Sequence, residues 1–359
     1  MTTRRSFFAG AAALSLAPKL TWADAGSPNY LSAARLPDDT FRLFGLDRDV
    51  QPLFSIPLPA RGHAAAAHPE RAEAVAFARR PGTFALVLNC VSGELKATLK
   101  APAERHFYGH GVFSRDGSRL FTTENAYQIG EGRIGIWAAD DGYRRVGEFP
   151  SGGIGPHDVL RLPGTDILAV ANGGIDTHPE TGREKLNIPS MQPNLSYVTE
   201  TGEQLDRMEL PPEMHKSSIR HLALRHDGLV AFGCQWQGDL LDVPPLLGLH
   251  RIGMEPNLLA QAPEAHLKLN GYVGSVAFSN RGDQVAIAAP RGNQLVVFDA
   301  ASGSHVRTLD ETDVCGVASS KSGFVFTAGS GSSGQLSDPK RVARNRLAWD
   351  NHLVGIDGA

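Results

Sequence analysis

Four histidines stand within or just ahead of short apolar runs: His63, His110, His157 and His221. The first three return at intervals of 47 residues, and the fourth follows after a longer gap. Imidazole nitrogens are good ligands for copper, zinc and iron, and neutral imidazoles can be gathered without the repulsion of packed carboxylates. This spacing could therefore serve a metal site, provided that the fold brings residues 47 apart to one place.

An interval near 47 residues is typical of a β-propeller, whose blades are sheets of four short antiparallel strands. Residues 110–150 hold one such unit, with the alternating runs HGVFS, RLFTTEN, RIGIWAAD and RRVGEFP separated by turn residues. A related unit starts at residue 63, and we predict the C-terminal HLVGIDG to be the third strand of a blade. The first half of the unit, with a glycine seven residues after its start, returns at 157–172, 221–234, 275–289 and 316–329.

These six units and an N-terminal pair of runs, TFRLFGLDRD and LFSIPLP, predict seven blades. The chain after residue 25 then provides about 48 residues per blade. We expect an all-β fold, a single seven-bladed β-propeller of four-stranded antiparallel blades over residues 26–359. The N-terminal and C-terminal strands should complete one blade together, because closure leaves no open sheet edge. Six or eight blades are the alternatives.

The N-terminus predicts an export signal over residues 1–25. A modest apolar segment follows TRRSFF at 3–8 and ends in ADA at 23–25, a small-x-small cleavage pattern. TRRSFF resembles a twin-arginine signal, although a general secretory signal with two chance arginines is the alternative. We expect a soluble periplasmic protein without residues 1–25, since no later segment is apolar enough to span a bilayer.

Composition and missing motifs exclude several function classes. The net charge is −3 and no basic run stands out, which argues against nucleic-acid binding and against an anionic membrane surface. Three cysteines without a CxxC pair argue against a disulfide framework and a thiolate zinc site. No serine-hydrolase, nucleotide-binding, haem-attachment or HExxH pattern is present, so the sequence favours a binding protein over an enzyme.

The predicted fold explains the histidine interval. The first strand of each blade lines the propeller axis, so the four histidines should meet at the mouth of the central channel. We interpret them as metal ligands; the alternative is a copied polar residue that hydrogen-bonds the backbone. Blades 6 and 7 carry Ser275 and Gly316 instead. Outside this register, and expected at the surface or in turns, lie His68, His106, His226, His250, His266 and His305.

Long loops on the same face could cover the site, and we predict them at 172–195, 235–250 and 330–352. The first carries His178, which we expect to act as a capping metal ligand. Met191 is either a soft ligand or a plug between loops, and Arg220 binds either an anion or a carboxylate. The candidate ligand-binding residues of this rim are Glu124, Asn172, Arg183, Asn187, Met191 and Arg220.

Three long motifs carry a family resemblance: GHGVFSRDGSRLFTTEN, GIGPHDVLRLPGTDILAVANGGIDTHPETGREKLN and SIRHLALRHDG. They resemble the twin-arginine-exported propeller family known as domain of unknown function 1513, itself similar to YVTN and quinoprotein amine dehydrogenase β-subunit propellers. The resemblance implies a periplasmic protein encoded beside imelysin-like and di-haem peroxidase-like iron-uptake proteins, and no established reaction. The matching positions are His110, His157, Gly173, Gly174, His178, Arg183, Asn187, Arg220 and His221.

The sequence thus leads to one main hypothesis. The propeller binds a transition metal (copper, iron or zinc) or a metal-bearing partner at a histidine-lined channel mouth, in support of iron or copper acquisition. One alternative is a metal-dependent oxidoreductase or a lactonase-like enzyme that uses the same face. A second alternative is a scaffold whose rim loops dock another periplasmic protein.

Overall fold

A computed structural model describes residues 20–79, 82–182, 184–338 and 340–356. It contains seven antiparallel sheets, six of them built from four consecutive strands and one built from both ends of the chain. The prediction of an all-β, seven-bladed propeller is confirmed. A short helix α1 (Pro263–Leu267) interrupts the strands. Within the described ranges, no helix has the length and apolar character needed to cross a membrane.

The strands are numbered along the chain and grouped by blade. Blade 1 contains β1 (Tyr30–Arg35), β2 (Phe41–Leu46) and β3 (Pro52–Leu58). Blade 2 contains β4 (Gly62–Ala67), β5 (Glu73–Ala78), β6 (Phe84–Asn89) and β7 (Leu95–Lys100). Blade 3 contains β8 (Arg105–Phe113), β9 (Arg119–Ala126), β10 (Glu131–Ala138) and β11 (Arg144–Pro150). Blade 4 contains β12 (Pro156–Arg161), β13 (Ile167–Asn172), β14 (Asn194–Thr199) and β15 (Gln204–Glu209).

The remaining blades follow the same order. Blade 5 contains β16 (Ser217–Leu224), β17 (Val230–Trp236), β18 (Leu247–His250) and β19 (Asn257–Leu259). Blade 6 contains β20 (Ser275–Phe278), β21 (Gln284–Ala289), β22 (Gln294–Asp299) and β23 (His305–Asp310). Blade 7 contains β24 (Val314–Ser320), β25 (Gly323–Ala328), β26 (Ser332–Gln335) and β27 (Ala343–Arg344). Two short strands, β28 (Ala348–Trp349) and β29 (Val354–Gly355), return to blade 1.

Burial falls from the axis to the rim of each blade. Second strands such as β5 and β21 are almost entirely apolar, because neighbouring blades cover both of their faces. Outer strands such as β7 and β23 are mostly exposed. The core therefore lies between blades, where Phe77, Phe107 and Phe232 are fully buried.

A β-bulge interrupts the first strand of five blades near the same level. A bulge puts extra residues into one strand of a pair and turns their side chains away from the regular alternation. The interruptions lie between Gly62 and Ala65, Phe107 and Gly111, Pro156 and Asp158, Ile219 and His221, and Val314 and Gly316.

Blade 1 is closed by the C-terminal part of the chain, as predicted. Its strand β1 pairs with β28 at Ala34 and Arg35, and with β29 at Tyr30 and Leu31. The prediction that HLVGIDG forms a third strand is wrong, because β29 is an innermost strand that pairs with β1. The long loop predicted at 330–352 is wrong as well, because β26, β27 and β28 lie within it.

The described fold begins before residue 26. Residues 20–25, assigned above to the signal peptide, already contact blade 2. Thr21 forms an isolated bridge with Arg71, and the indole nitrogen of Trp22 donates to the carbonyl oxygen of His68 over 2.8 Å. Trp22 and Ala25 pack against the apolar cluster shared by blades 1 and 2.

Ring closure predicts a large stability effect at Trp349. Its side chain is 2% exposed and packs edge-to-face on Phe44 with ring centroids 5.3 Å apart. We expect Trp349→Ala to lower the free energy of unfolding by about 3–5 kcal/mol, because it leaves a cavity at the closing seam. Urea denaturation followed by circular dichroism measures the change. The control Leu241→Ala, at a side chain 83% exposed, should change it by less than about 0.5 kcal/mol; equal effects of both variants would contradict this role of the seam.

Candidate metal centre

Five histidines converge at one end of the propeller axis. His63, His110, His157 and His221 lie on the first strands β4, β8, β12 and β16, at or beside the bulges. The fifth, His352, lies between β28 and β29, where the first strand of blade 1 is interrupted. The structure therefore brings together the four histidines singled out in the sequence and adds one from the closing segment. We call these five residues the histidine cluster.

The imidazole rings are in mutual contact. Ring centroids of the pairs His63–His352, His110–His352, His110–His157 and His157–His221 lie 4.6–4.9 Å apart. Two overlapping sets of three have ligand atoms within 4.8 Å of one another. We call His63, His110 and His352 the first triplet, and His110, His157 and His221 the second triplet.

The nitrogen separations fit a metal ion. Nε2 of His110 lies 3.3 Å from Nε2 of His63. Two nitrogens bound to one tetrahedral zinc ion at about 2.0–2.1 Å are about 3.3 Å apart. Within the described part of the chain, Nδ1 of His63, Nδ1 of His221 and Nε2 of His352 are buried without a hydrogen-bond partner. Buried nitrogens without partners are costly, and a metal ion would satisfy one nitrogen of each ring that it binds.

Outer hydrogen bonds fix the orientation of two rings. Nδ1 of His157 lies 3.1 Å from the carbonyl oxygen of Arg220, which can only accept, so this nitrogen carries the proton. Nδ1 of His110 lies 3.0 Å from Asp158 Oδ1, and Oδ2 of Asp158 accepts from the backbone of Leu222 over 3.0 Å. Both rings therefore present Nε2, and not Nδ1, to a metal ion in the cluster. Carboxylate–histidine–metal arrangements use this same outer contact.

Four imidazoles of the cluster, those of His63, His157, His221 and His352, have lowered pKa values. Burial, followed by the neighbouring imidazoles, lowers the pKa of His63 well below its usual value. Burial and then the guanidinium of Arg220 lower the pKa of His157, and burial with the nearby imidazoles lowers that of His221. Burial also lowers the pKa of His352 to about 3. Metal ligands must be deprotonated, so these imidazoles are in the required form at neutral pH.

Gly109 makes room for the cluster on β8. Its φ of +100° lies in a region that favours glycine, and a Cβ built there would come within 2.5 Å of the His63 ring. The glycine thus permits both the bulge and the close approach of two blades.

A central cavity of about 520 Å³ opens beneath the cluster. His110, His221 and His352 form part of its lining at one end, whereas Arg48 and Lys321 belong to its lining elsewhere. Alanines of the inner strands line its walls, so small side chains keep the axis open.

The predicted loop residues do not join either triplet. His178 packs on the ring of Tyr127 with centroids 4.9 Å apart, and its Nδ1 accepts from the backbone of Glu180 over 3.3 Å. Asn187 holds the same loop in place: its Oδ1 accepts from the backbone N–H of Asp176, and its Nδ2 donates to the carbonyl oxygen of Gly174. Met191 is 2% exposed, in agreement with a plug between loops. Arg183 lies outside the described residues.

Three other rim candidates make contacts within the protein. Glu124 is fully buried and receives both terminal nitrogens of Arg145, at 2.7 and 3.1 Å. Asn172 is fully buried and donates to Ser151 and Asn194. Arg220 is 9% exposed and, besides its backbone contact with His157, contributes positive charge to the cluster's surroundings.

The expectation that the out-of-register histidines lie at the surface or in turns is wrong for three of them, because His106, His250 and His266 are buried within β8, β18 and α1. His68 is buried as well but lies in the turn between β4 and β5. Three histidines hydrogen-bond a backbone carbonyl oxygen through Nε2: His68 that of Gly117, His250 that of Met254 and His266 that of Pro244. A buried imidazole bonded to a carbonyl needs no charge partner, which explains how such residues are accommodated in the core.

His352 was missed because its segment was assigned to a third strand. The available signal was a histidine directly ahead of the apolar pair Leu353–Val354, as at the other first strands. Had ring closure been assigned to this segment, the same position in the blade would have identified it.

The lowered pKa values predict acid sensitivity of the metal-free protein. Below pH 6.5 the unfolded chain binds protons that the folded cluster excludes, so stability is full above this pH and decreases as pH falls towards the folded pKa values. For an imidazole such as His352, with a pKa of about 3 in the folded protein, the free energy of unfolding should be about 2 kcal/mol lower at pH 5 than at neutral pH.

Urea unfolding of the metal-free protein between pH 7 and pH 5 measures this effect. Carboxylates with lowered pKa values contribute only below about pH 4, outside the range. The decrease should be smaller in His352→Asn, which removes one such imidazole. An equal pH dependence in His352→Asn and in the unaltered protein would contradict the lowered pKa of His352.

Comparison with known proteins identifies the fold and the family. No curated protein matches the chain. A solved structure of hydrazine synthase from Kuenenia stuttgartiensis is similar with a TM-score of 0.61, covering 85% of this chain and 89% of that chain. At a sequence identity of 14%, this structural similarity shows a shared fold and nothing more. A family model described as a protein of unknown function (DUF1513) matches residues 56–356, which include the whole histidine cluster. The chain therefore belongs to the DUF1513 family.

Proposed function

We propose that this protein binds a transition-metal ion at the histidine cluster and serves the acquisition of iron or copper. The observation that carries the proposal is the convergence of five imidazoles with ligand atoms within 4.8 Å in each triplet. A cluster of imidazole nitrogens, some without hydrogen-bond partners, is the donor set expected of a metal site.

The donor set favours some metals over others. Nitrogen ligands suit copper, zinc and iron, whereas calcium and magnesium prefer oxygen. Among these, Cu²⁺ should bind most tightly, because affinities of nitrogen sites rise to a maximum at copper. Asp158, hydrogen-bonded to His110, supplies a negative charge beside the ion and raises the basicity of that ligand.

The cellular setting is part of the same proposal. The twin-arginine-like segment TRRSFF supports export to the periplasm in a folded state. Export after folding would allow the protein to bind its metal ion either before transport or afterwards in the periplasm. Periplasmic iron-uptake proteins of the imelysin-like and di-haem peroxidase-like classes are the partners that we propose.

Metal titration tests the function. We expect purified protein to bind one Cu²⁺ or Zn²⁺ ion, and His110→Asn to weaken binding most, because His110 belongs to both triplets. Asp158→Asn should weaken affinity by about 10- to 100-fold, since it removes an outer partner and not a ligand. Isothermal titration and elemental analysis after dialysis measure affinity and stoichiometry.

The matched control is His305→Asn, at an exposed histidine of the outer strand β23. It should bind metal as the unaltered protein does. The proposal fails if the unaltered protein binds none of Cu²⁺, Zn²⁺ and Fe²⁺, or if His305→Asn and His110→Asn have equal effects. Growth of a deletion strain under iron or copper limitation tests the cellular role.

A further inference from the structure

We propose, on the basis of this metal-binding function, that the histidine cluster offers two overlapping metal positions which share His110 and hold one ion at a time. The first position uses the first triplet and the second position uses the second triplet. An ion in the cluster would then exchange between two neighbouring sets of ligands without leaving the protein.

The sharing follows from the hydrogen bonds of His110. Its Nδ1 is held by Asp158 at 3.0 Å, which leaves Nε2, 3.3 Å from Nε2 of His63, as the one nitrogen that can bind a metal ion. One lone pair binds one metal ion, so His110 cannot serve both positions together. Two divalent cations this close would also repel each other strongly, with Asp158 as the carboxylate that contacts the cluster.

Each position keeps ligands of its own. His63 and His352 contact each other with ring centroids 4.7 Å apart, and His157 and His221 do so at 4.9 Å. Unpartnered nitrogens occur in both pairs, Nδ1 of His63 and Nε2 of His352 in one, and Nδ1 of His221 in the other. Neither pair is thus fully satisfied by the protein.

The two pairs differ in how firmly they are held. Nδ1 of His157 is bonded to the carbonyl oxygen of Arg220, whereas His352 lies between two strands of two residues each.

Single substitutions separate the two positions. We expect His63→Asn and His157→Asn each to bind one Cu²⁺ ion, because each variant leaves one triplet intact. Their electron paramagnetic resonance spectra should differ, and the spectrum of the unaltered protein should be a sum of the two. The double variant His63→Asn with His157→Asn, and His110→Asn alone, should each bind Cu²⁺ with an affinity lowered at least about 100-fold.

The outcomes distinguish the two proposals. A protein that binds no metal defeats the proposed function. Binding of two ions at once, or loss of binding in either single variant, leaves metal binding in place but overturns the shared positions. Circular dichroism of each variant shows that the fold is intact, and His305→Asn again serves as the control.

A separate observation concerns the N-terminal segment. We further infer that any leader removed from this chain is cut before Thr21 and not after Ala25. Residues 21–26 form consecutive tight turns, with backbone bonds from Asp24 to Thr21, Ala25 to Trp22 and Gly26 to Ala23. A chain exported by the twin-arginine route folds before its leader is cut, and on that route cleavage after Ala25 would first require these turns and the Trp22 contact with His68 to open.

Analysis of the exported protein tests the cleavage site. The full-length chain is expressed with its own leader in a bacterium that has twin-arginine export, and the periplasmic protein is purified. Intact mass and N-terminal sequencing should give a first residue at or before Thr21. A first residue after Thr21 overturns the inference, and this result would not affect the metal site.

Discussion

The interruption of the innermost strands is the constraint on which the site depends. In a regular first strand, successive side chains would point alternately to the two neighbouring blades. The histidines would then follow this alternation and would not be directed to the axis. Bulges in β4, β8, β12 and β16 break that alternation close to the histidines. Rotational repetition then collects the side chains at a common point, although they are far apart in sequence.

Gathering imidazoles in this way has an energetic cost that the rest of the fold must offset. Burial disfavours protonation of the rings, and several ring nitrogens lack hydrogen-bond partners. The apolar contacts between blades, such as those of Phe77 and Phe107, provide the stability that tolerates such a centre. Functional sites commonly break local rules that the surrounding structure obeys, and this cluster does so at the axis.

Much of the fold could be predicted from the sequence because its signals are local. Alternating runs, Asp-Gly turns and the repeat interval specify the blades, and closure of the ring follows from the need to cover sheet edges. The positions of three cluster histidines follow from the same interval, and that of His221 follows from the start of its repeat unit. The bulges themselves could not be predicted, because they depend on the register between strands, which a single sequence does not display.

His352 escaped prediction for a related reason. Its strands β28 and β29 have two residues each, too short for a periodic pattern, and they are defined by pairing with β1 from the other end of the chain. Long-range pairing also explains the buried histidines outside the register, such as His250, which bonds Tyr197 of the neighbouring blade. Contacts between blades cannot be predicted from local sequence patterns.

The placement of His352 between the two closing strands makes the ring seam and the centre a single assembly. These strands are the last of the described fold to be synthesised, so a nascent chain carries four of the imidazoles long before the fifth can join them. The finished pocket is thus a product of ring closure and not of any individual blade. An ion held there would bind across the seam, joining the beginning of the propeller to its end.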